Sequence, residues 1–389
     1  MRPTETPAAE ARRVEALHRL GILDTAPEER YDRFVEAACA VFGVPAAAVN
    51  FIDADRQWTK AEVGLNGLEE VPLSESMCAH TVRQDSTLVL EDASKDPRFA
   101  DGMFVADGVR FYAGHPLHAP TGEPIGSLCI VDTKPRALTG KDRTALAALA
   151  RLVEREVAMG AELDRAAQVQ QLIMPRTAPE VPGYRLAGRC VPARSVGGDF
   201  FAWQRLPTGD LQVHVADVMG KGIPAALIAA SLRAVLLGAS AFNDQLITVE
   251  KVAAASQDLF GDTDTFATLF SARLNPATGD LQYIDAGHGL GFVLSPGRAP
   301  RRLASSGLPL GVVPDHAWEA HGEHLEPGDV LVVVSDGILE LFPNLEDALT
   351  RAAQAKTLDA AQLVENAIAF ARRQQHEDDV TILALRRDP

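Results

Sequence analysis

The chain has 389 residues, which is too long for a single hydrophobic core and predicts two or three domains. Hydrophobic residues make up 47% of it and charged residues 23%, which is a globular composition. The formal net charge of -16 argues against a nucleic-acid-binding surface. No stretch reaches the roughly 20 apolar residues that span a bilayer, and the N-terminus lacks the apolar segment of a signal peptide. We therefore expect no membrane segment.

The four cysteines, Cys39, Cys78, Cys129 and Cys190, are scattered along the sequence, and no two of them form a C-x-x-C pair. This pattern is typical of reduced thiols in a cytoplasmic protein, not of a disulfide framework or a zinc site. Cys78 lies in the sequence M-C-A-H, where a buried structural cysteine is the default expectation.

Residues 1–140 alternate short helices with antiparallel hairpins. Thr25-Ala26-Pro27-Glu28 has the pattern of a capping box, which predicts the start of a helix that ends at Gly43. The stretches A-A-A-V-N-F-I-D and Q-W-T-K-A-E-V predict a hairpin. Thr139 and Asp142 predict the cap of the next helix. We expect one α+β domain with an antiparallel sheet and flanking helices.

A long linker helix is predicted over residues 141–175, because only Gly160 interrupts a helical pattern of apolar residues there. The apolar stripe could form a coiled-coil seam between two chains or pack on its own domain. We expect a homodimer through the first domain and this helix. The proline-rich segment P-R-T-A-P-E-V-P-G then ends the helix, so residues 176–389 are predicted to form the second domain.

Acidic residues stand at four strand ends or glycine turns of the second domain. Asp217 ends an apolar strand, Asp336 follows the apolar run V-L-V-V-V-S, the pair Asp378-Asp379 precedes V-T-I-L-A-L, and Asp199 follows two glycines. One aspartate at a strand end is usually a turn residue, and one glycine simply makes a turn. Four such places in one domain are more informative, because the carboxylates would share a small volume if the ends of these strands converge.

Carboxylates that lie close together repel one another unless a cation is bound. Oxygen ligands without cysteine or histidine suit a hard ion, Mg²⁺ or Mn²⁺. Two such ions bridged by one carboxylate form the arrangement that hydrolyses phosphate esters, since they lower the pKa of a bound water and hold the phosphoryl oxygens. Spacing in the sequence alone does not show that the strand ends meet.

Seven segments of this domain follow one another in the order of a known family. They are S-V-G-G-D-F-F (195–201), A-D-V-M-G-K-G-I-P-A-A-L (216–227), F-A-T-L-F (266–270), A-G-H (286–288), G-L-P-L-G (307–311), G-D-V-L-V-V-V-S-D-G-I-L-E (328–340) and E-D-D-V-T-I-L (377–383). The domain resembles the SpoIIE/RsbU-type serine/threonine phosphatases, a branch of the metal-dependent PPM family. The resemblance implies an α/β/β/α sandwich with two Mn²⁺ or Mg²⁺ ions at one end.

Carried over residue by residue, the resemblance implies that Asp217 bridges both ions, with the backbone of Val218 beside it. Asp336 and Asp378 resemble further metal ligands, and Asp379 is the immediate alternative to Asp378. Asp217 and Asp336 would thereby carry catalysis through an activated water.

The same resemblance makes Asp199 a carboxylate that reaches the ions in part through water. Lys221 and His288 are candidates for contacts to the substrate or for support of the ligands. Two departures from the family pattern are Gly289-Leu290, where Asn-Pro is usual, and Met219, where small residues are common.

The first domain resembles a GAF sensory domain. The resemblance rests on L-G-I-L-D-T-A-P-E-E-R-Y-D (20–32), D-R-Q-W-T-K-A-E-V-G-L (55–65), S-M-C-A-H (76–80), R-F-Y-A-G-H-P-L (110–117) and I-G-S-L-C-I-V-D (125–132). It indicates the fold but no particular ligand.

The sequence thus predicts a cytoplasmic, sensor-regulated phosphatase for phosphoserine or phosphothreonine in proteins. By resemblance, its substrate is a phosphorylated STAS-domain anti-sigma-factor antagonist. One alternative is a non-catalytic scaffold that only binds a phosphoprotein, but a pure binder has no reason to keep every repelling carboxylate. A second alternative, a nucleotide cyclase or phosphodiesterase, has no support from the motifs.

Overall fold

The protein is described by a computed structural model that covers residues 6–305, 307–355, 359–374 and 376–389, with residues 352–355 described by their backbone alone. The chain divides into two compact units, Met1–Leu163 and Asp164–Pro389. The division falls within one long helix.

The first unit is a six-stranded antiparallel sheet with helices on both faces, and its strand order is β3-β2-β1-β6-β5-β4. Its strands are β1 (Ala46–Ile52), β2 (Arg56–Val63), β3 (Glu70–Pro72), β4 (Leu88–Leu90), β5 (Phe111–His118) and β6 (Pro124–Asp132). Its helices are α1 (Pro7–His18), α2 (Glu29–Phe42), α3 (Met77–Gln84), α4 (Met103–Ala106) and the first part of α5 (Gly140–Ile173).

Alternation along the strands divides the core of this unit into two layers. In β1, Val49 and Phe51 face a core that also contains residues of α1, α2 and α5. Ala48 and Ile52 face the opposite core, which contains α3. Both faces of the sheet are therefore covered, as the sequence predicted.

Helix α5 confirms the predicted long helix, and its start is capped as expected. The Asp142 N–H donates to Thr139 Oγ1 at 3.2 Å, and the Thr139 N–H donates to Asp142 Oδ2 at 2.9 Å. The capping box at Thr25 was wrong, because α2 begins at Glu29 and its N-cap, Glu28, makes no side-chain cap. Lys60 Nζ donates to Thr25 Oγ1 at 2.6 Å, and the Thr25 hydroxyl donates to the Ile22 carbonyl instead.

The second unit contains two five-stranded antiparallel sheets, ordered β14-β11-β10-β9-β8 and β13-β12-β15-β16-β7. The strands are β7 (Tyr184–Val191), β8 (Phe200–Arg205), β9 (Leu211–Val218), β10 (Ala267–Leu274), β11 (Asp280–Ala286), β12 (Gly291–Leu294), β13 (Arg301–Arg302), β14 (His321–His324), β15 (Val330–Val334) and β16 (Val380–Arg387). The helices after α5 are α6 (Ile223–Ser240), α7 (Gln245–Thr263), α8 (Leu345–Ala355) and α9 (Ala360–Ala371), and a 3-10 helix covers Asp336–Leu341.

Three apolar cores define four layers in this unit. One core joins the two sheets and includes Val213 and Phe270 from one sheet and Val333 and Leu383 from the other. A second core lies between β8–β11 and helices α6 and α7. A third lies between β12, β15 and β16 and helices α8 and α9. The unit is therefore the α/β/β/α sandwich that the family resemblance implied.

Within the described part of the chain, α6 alone is long and apolar enough to cross a membrane by length and composition. Core helices meet the same criterion. Its residues Ala225, Leu232 and Leu236 are buried in the core beside the sheet, which accounts for the apolar character of that face.

Candidate metal centre

The predicted acidic residues stand at one end of each sheet. β8 and β9 are antiparallel neighbours with Phe200 opposite Ala216, so Asp199, before β8, and Asp217, near the end of β9, share an end of that sheet. In the other sheet, β15 and β16 are antiparallel neighbours. Asp336 follows β15, and the pair Asp378-Asp379 precedes β16, so they too share an end.

Asp379 links the two ends directly. Its carboxylate accepts the backbone N–H of Ala193 at 2.8 Å, of Gly198 at 2.7 Å and of Asp199 at 3.3 Å. A Cβ on Gly197 would lie 2.1 Å from Asp379 Oδ2, so only glycine allows this approach. The buried Asp379 carboxylate therefore holds the loop before β8 against the start of β16.

The electrostatics of the site show that the other carboxylates are close enough to interact. Burial, with the neighbouring Asp336, Asp378 and Asp379 carboxylates, raises the pKa of Asp217 to about 7. Burial and the Asp217 carboxylate raise the pKa of Asp199 well above its ordinary value. Burial and Asp378 also raise the pKa of Asp336. Without a cation, the negatively charged carboxylates at this end of the sandwich repel one another.

One buried oxygen in the cluster lacks a partner. Asp199 is 1% exposed, and among the described atoms its Oδ2 has no hydrogen bond of normal geometry. An unpaired buried carboxylate oxygen is costly unless a cation or water meets it. Within the described residues, no three His, Cys, Asp or Glu side chains are arranged closely enough to coordinate one metal ion. The oxygen-only donor set and the mutual repulsion nevertheless fit hard divalent ions.

Glycines let the backbone close around the acidic end. A Cβ on Gly198 would lie 2.5 Å from the Val218 carbonyl oxygen, and one on Gly337 would lie 2.2 Å from the Asp379 carbonyl oxygen. Val218 is the buried last residue of β9. Its carbonyl oxygen therefore lies close to the loop that carries Asp199.

Asp378 differs from Asp379 in its contacts. Its half-buried side chain lies 3.6 Å from Lys221 Nζ, while Lys221 also donates to the Glu377 carbonyl at 2.5 Å. Glu340 Oε2 accepts the backbone N–H groups of Glu377 at 2.7 Å and of Asp378 at 3.1 Å. The loop before β16 is thus held from both sides, and Lys221 brings a cation next to the cluster.

His288 is buried and contacts the strand next to the one that carries Asp217. Its Nδ1 is 3.0 Å from Thr268 Oγ1, and Thr268 is opposite Asp217 in the β9–β10 pairing. Burial lowers the pKa of His288. Gly289 has a φ of +66°, and its N–H donates to Asp285, so the departure from the family pattern suits the left-handed turn that it occupies.

Three supporting residues were missed from the sequence. Asp285 accepts the N–H of His288 at 2.8 Å, and Glu340 holds the loop before β16. Gln170 on α5 forms a two-point contact with Gly197: its Nε2 donates to the carbonyl at 2.6 Å, and its Oε1 accepts the N–H at 3.1 Å. The quoted segments contain Glu340, but no spacing rule identifies Gln170 or Asp285.

Comparisons with known proteins agree with this architecture. A family model described as GAF domain matches residues 26–157, and one described as Stage II sporulation protein E (SpoIIE) matches residues 207–388. The chain is 27% identical over 237 residues to the phosphoserine phosphatase RsbU of Bacillus subtilis, a match that covers 58% of this chain and 70% of RsbU.

A second relative is the cyclic di-GMP phosphodiesterase PA2567 of Pseudomonas aeruginosa, at 35% identity over 150 residues, but the chain spans only 25% of that protein and the match covers 38% of the chain. The solved SiaA-PP2C domain of Pseudomonas aeruginosa is 20% identical, with a TM-score of 0.53, and the match covers 60% of this chain and 99% of that domain. That likeness shows the fold. The chain therefore carries a GAF domain followed by a domain of the SpoIIE family of PPM phosphatases.

Proposed function

We propose that the chain is a sensor-regulated, metal-dependent protein phosphatase that removes phosphate from phosphoserine or phosphothreonine of a partner protein. The observation that carries this proposal is the gathering of carboxylates at one end of the sandwich, where Asp379 joins the loop before β8 to the start of β16 and the buried Asp199 Oδ2 has no hydrogen-bond partner among the described atoms. Burial and the neighbouring carboxylates also raise the pKa of Asp217. Such a cluster is unfavourable by itself and favourable around divalent cations.

The metal ions would be held by carboxylates and one backbone group of this chain. Asp217, Asp336, Asp378 and Asp199 would hold two Mn²⁺ or Mg²⁺ ions together with the backbone of Val218. When bound, such ions supply an activated water and stabilise the charge of the phosphoryl group. Asp379 is already engaged by three backbone N–H groups, which favours Asp378 over Asp379 as the ligand.

Two further side chains have supporting roles in this account. Lys221, beside Asp378, places a positive charge where it can attract a phosphate dianion. His288 contacts Thr268 on β10, opposite Asp217, and so supports the strand that pairs with β9, which carries Asp217. The Glu340 carboxylate keeps the Asp378 loop in place through two backbone N–H groups.

The substrate class follows from the family. RsbU of Bacillus subtilis is named a phosphoserine phosphatase, and its match covers most of that protein's length. We extend this to a phosphorylated STAS-domain anti-sigma-factor antagonist as the partner, in the cytoplasm. A homodimer through the GAF domain and α5 fits the exposed apolar residues Leu152, Met159, Val169 and Leu172 on that helix. Crosslinking that traps only monomer would contradict the dimer.

The test is phosphate release from a panel of phosphoserine STAS proteins by the full chain with Mn²⁺ present. Asp336→Asn should abolish release, because it removes one ligand charge from the cluster. Asp262→Asn, an exposed carboxylate on α7, is the matched control and should leave release unchanged.

The results separate activity from substrate class. Release from phosphoserine peptides but from no STAS protein would retain the phosphatase and reject the proposed partner. Equal release by the wild type and Asp336→Asn would reject the metal-dependent mechanism. Saturable phosphoprotein binding without any release would support the scaffold alternative.

A further inference from the structure

Two cysteines of the GAF unit meet between α3 and the sheet. Cys78 is the second residue of α3 and Cys129 lies within β6, and each is 3% exposed. Asn50 Nδ2 on β1 donates to both sulfurs, to Cys78 Sγ at 3.3 Å and to Cys129 Sγ at 3.4 Å. One amide nitrogen therefore contacts both thiols, although α3 and β6 are far apart in the sequence.

The surroundings shift the pKa values of the two thiols in opposite directions. A hydrogen bond from Cys129 lowers the pKa of Cys78 to about 7, although burial opposes the change. The Tyr112 hydroxyl also donates to Cys78 Sγ, at 3.4 Å, and Cys78 lies in the first turn of α3 next to its N-cap Ser76. The pKa of Cys129 is raised well above its ordinary value by its contact with Cys78 and by burial. The surroundings therefore favour the thiolate of Cys78 over that of Cys129.

A small cavity is lined by both cysteines. Its volume is about 30 Å³, which is enough for one molecule of the size of water. Its walls include Met77, Phe104 and Tyr112, and no charged side chain lines it among the described residues. This space suits a small neutral molecule better than a charged or bulky thiol reagent.

We propose that Cys78 and Cys129 form a dithiol that reacts with hydrogen peroxide inside the GAF unit. This assignment is independent of the phosphatase activity. It revises the sequence expectation for Cys78 from a structural cysteine to a reactive one, because the partner thiol, the shared Asn50 donor and the cavity were visible only in the fold.

The chemistry takes two steps. The Cys78 thiolate attacks one peroxide oxygen, the O–O bond breaks, and the departing hydroxide takes up a proton to give water and a sulfenic acid on Cys78. The Cys129 sulfur then attacks Cys78 Sγ, the S–O bond breaks, and the hydroxide leaves with the Cys129 proton as a second water. Two thiols are oxidised to one disulfide, and one peroxide is reduced to two waters.

The other two cysteines provide internal controls. Burial raises the pKa of the Cys39 thiol, and Cys190 lies in the second unit, where its Sγ donates to the Asp199 carbonyl at 3.8 Å. A thiol that stays protonated reacts slowly with peroxide. Both should therefore remain reduced while Cys78 and Cys129 react.

The experiment treats the reduced full chain with one equivalent of hydrogen peroxide at pH 7 and identifies each cysteine by alkylation and mass spectrometry. The expected product is an intrachain Cys78–Cys129 disulfide, formed about tenfold or more faster than Cys39 is oxidised. Cys129→Ser should stop at a Cys78 sulfenic acid that dimedone traps. Cys39→Ser, the matched control, should form the disulfide at the wild-type rate.

Wild-type protein alone can overturn the proposal, so the result does not depend on how a variant folds. Oxidation of Cys39 or Cys190 as fast as Cys78, or peroxide consumption without a Cys78–Cys129 disulfide, would contradict it. Tyr112→Phe removes one donor to Cys78 and keeps the ring. It should slow sulfenic acid formation several-fold, and an unchanged rate would count against the activated thiolate.

Discussion

The Asp379 carboxylate accepts the backbone N–H of Gly198 at 2.7 Å and so links the start of β16 to the loop before β8. Its neighbour Asp378 makes no such bridge and lies beside Lys221. The two adjacent aspartates therefore have different roles: Asp379 holds the surrounding loops in place, and Asp378 faces the acidic cluster. This relationship gives the first prediction.

Asp379→Asn should destabilise the second unit by about 1–3 kcal/mol, because a buried acceptor of three N–H groups loses its charge and one of its acceptor oxygens. Asp378→Asn should leave stability nearly unchanged but weaken Mn²⁺ binding. Urea unfolding and Mn²⁺ titration of both variants make the comparison. If Asp378→Asn were the destabilised variant, the two roles would be reversed.

Gly197→Ala should lower both stability and Mn²⁺-dependent phosphate release, because the new Cβ would stand 2.1 Å from Asp379 Oδ2. Displacing a buried side chain in this way costs about 1–3 kcal/mol. Gly238→Ala on α6 meets no atom within 4 Å and should be neutral or slightly stabilising, since alanine favours a helix. Equal effects of the two substitutions would show that the close approach is not needed.

Gln170→Ala should reduce the apparent affinity for Mn²⁺ by roughly 10–100-fold, because its amide holds both backbone groups of Gly197 next to the cluster. Gln171→Ala, the exposed neighbour on α5, is the matched control and should behave as wild type. Isothermal titration with Mn²⁺ measures the difference. Wild-type affinity in Gln170→Ala would mean that the end of α5 does not support the site.

The buried His214 should make the second unit less stable in acid. Burial, with Arg273 and Arg233 nearby, lowers its pKa to about 3, while its ring nitrogens share hydrogen bonds with the hydroxyls of Ser240 and Ser271. Between its unfolded pKa of about 6.5 and that value, only the unfolded state binds the proton, so stability falls as the pH falls.

The loss attributable to His214 approaches about 1.4 kcal/mol per pH unit well below pH 6.5. His214→Gln should reduce the difference in unfolding free energy between pH 7 and pH 5, measured by urea denaturation. A pH dependence identical to that of the wild type would show that His214 is not the group responsible.

Local patterns predicted the strand ends at which the acidic residues stand. Apolar runs that end in aspartate identified Asp217 and Asp336, and the reciprocal Thr139–Asp142 cap was readable because both partners lie within one turn. The predicted cap at Thr25 fails because the Thr25 hydroxyl accepts a hydrogen bond from Lys60, which lies on β2, far away in the sequence. Short-range rules therefore work where the competing partner is also local.

The supporting residues could not be predicted for the same reason. Gln170, near the end of the long helix α5, contacts Gly197. The sequence alone does not distinguish it from its neighbours Gln168 and Gln171. The Cys78–Cys129 contact likewise joins a helix to a strand through Asn50. Such pairings depend on how the elements pack, which no spacing in the sequence encodes.

The most direct test of the metal centre is the number of Mn²⁺ ions that the full chain binds, measured by equilibrium titration with atomic absorption on the separated protein. We expect two ions per chain for the wild type and for Asp262→Asn, and a loss of binding in Asp217→Asn, since Asp217 is the carboxylate that its three neighbours all influence. No saturable binding, or equal binding by Asp217→Asn, would contradict the central claim.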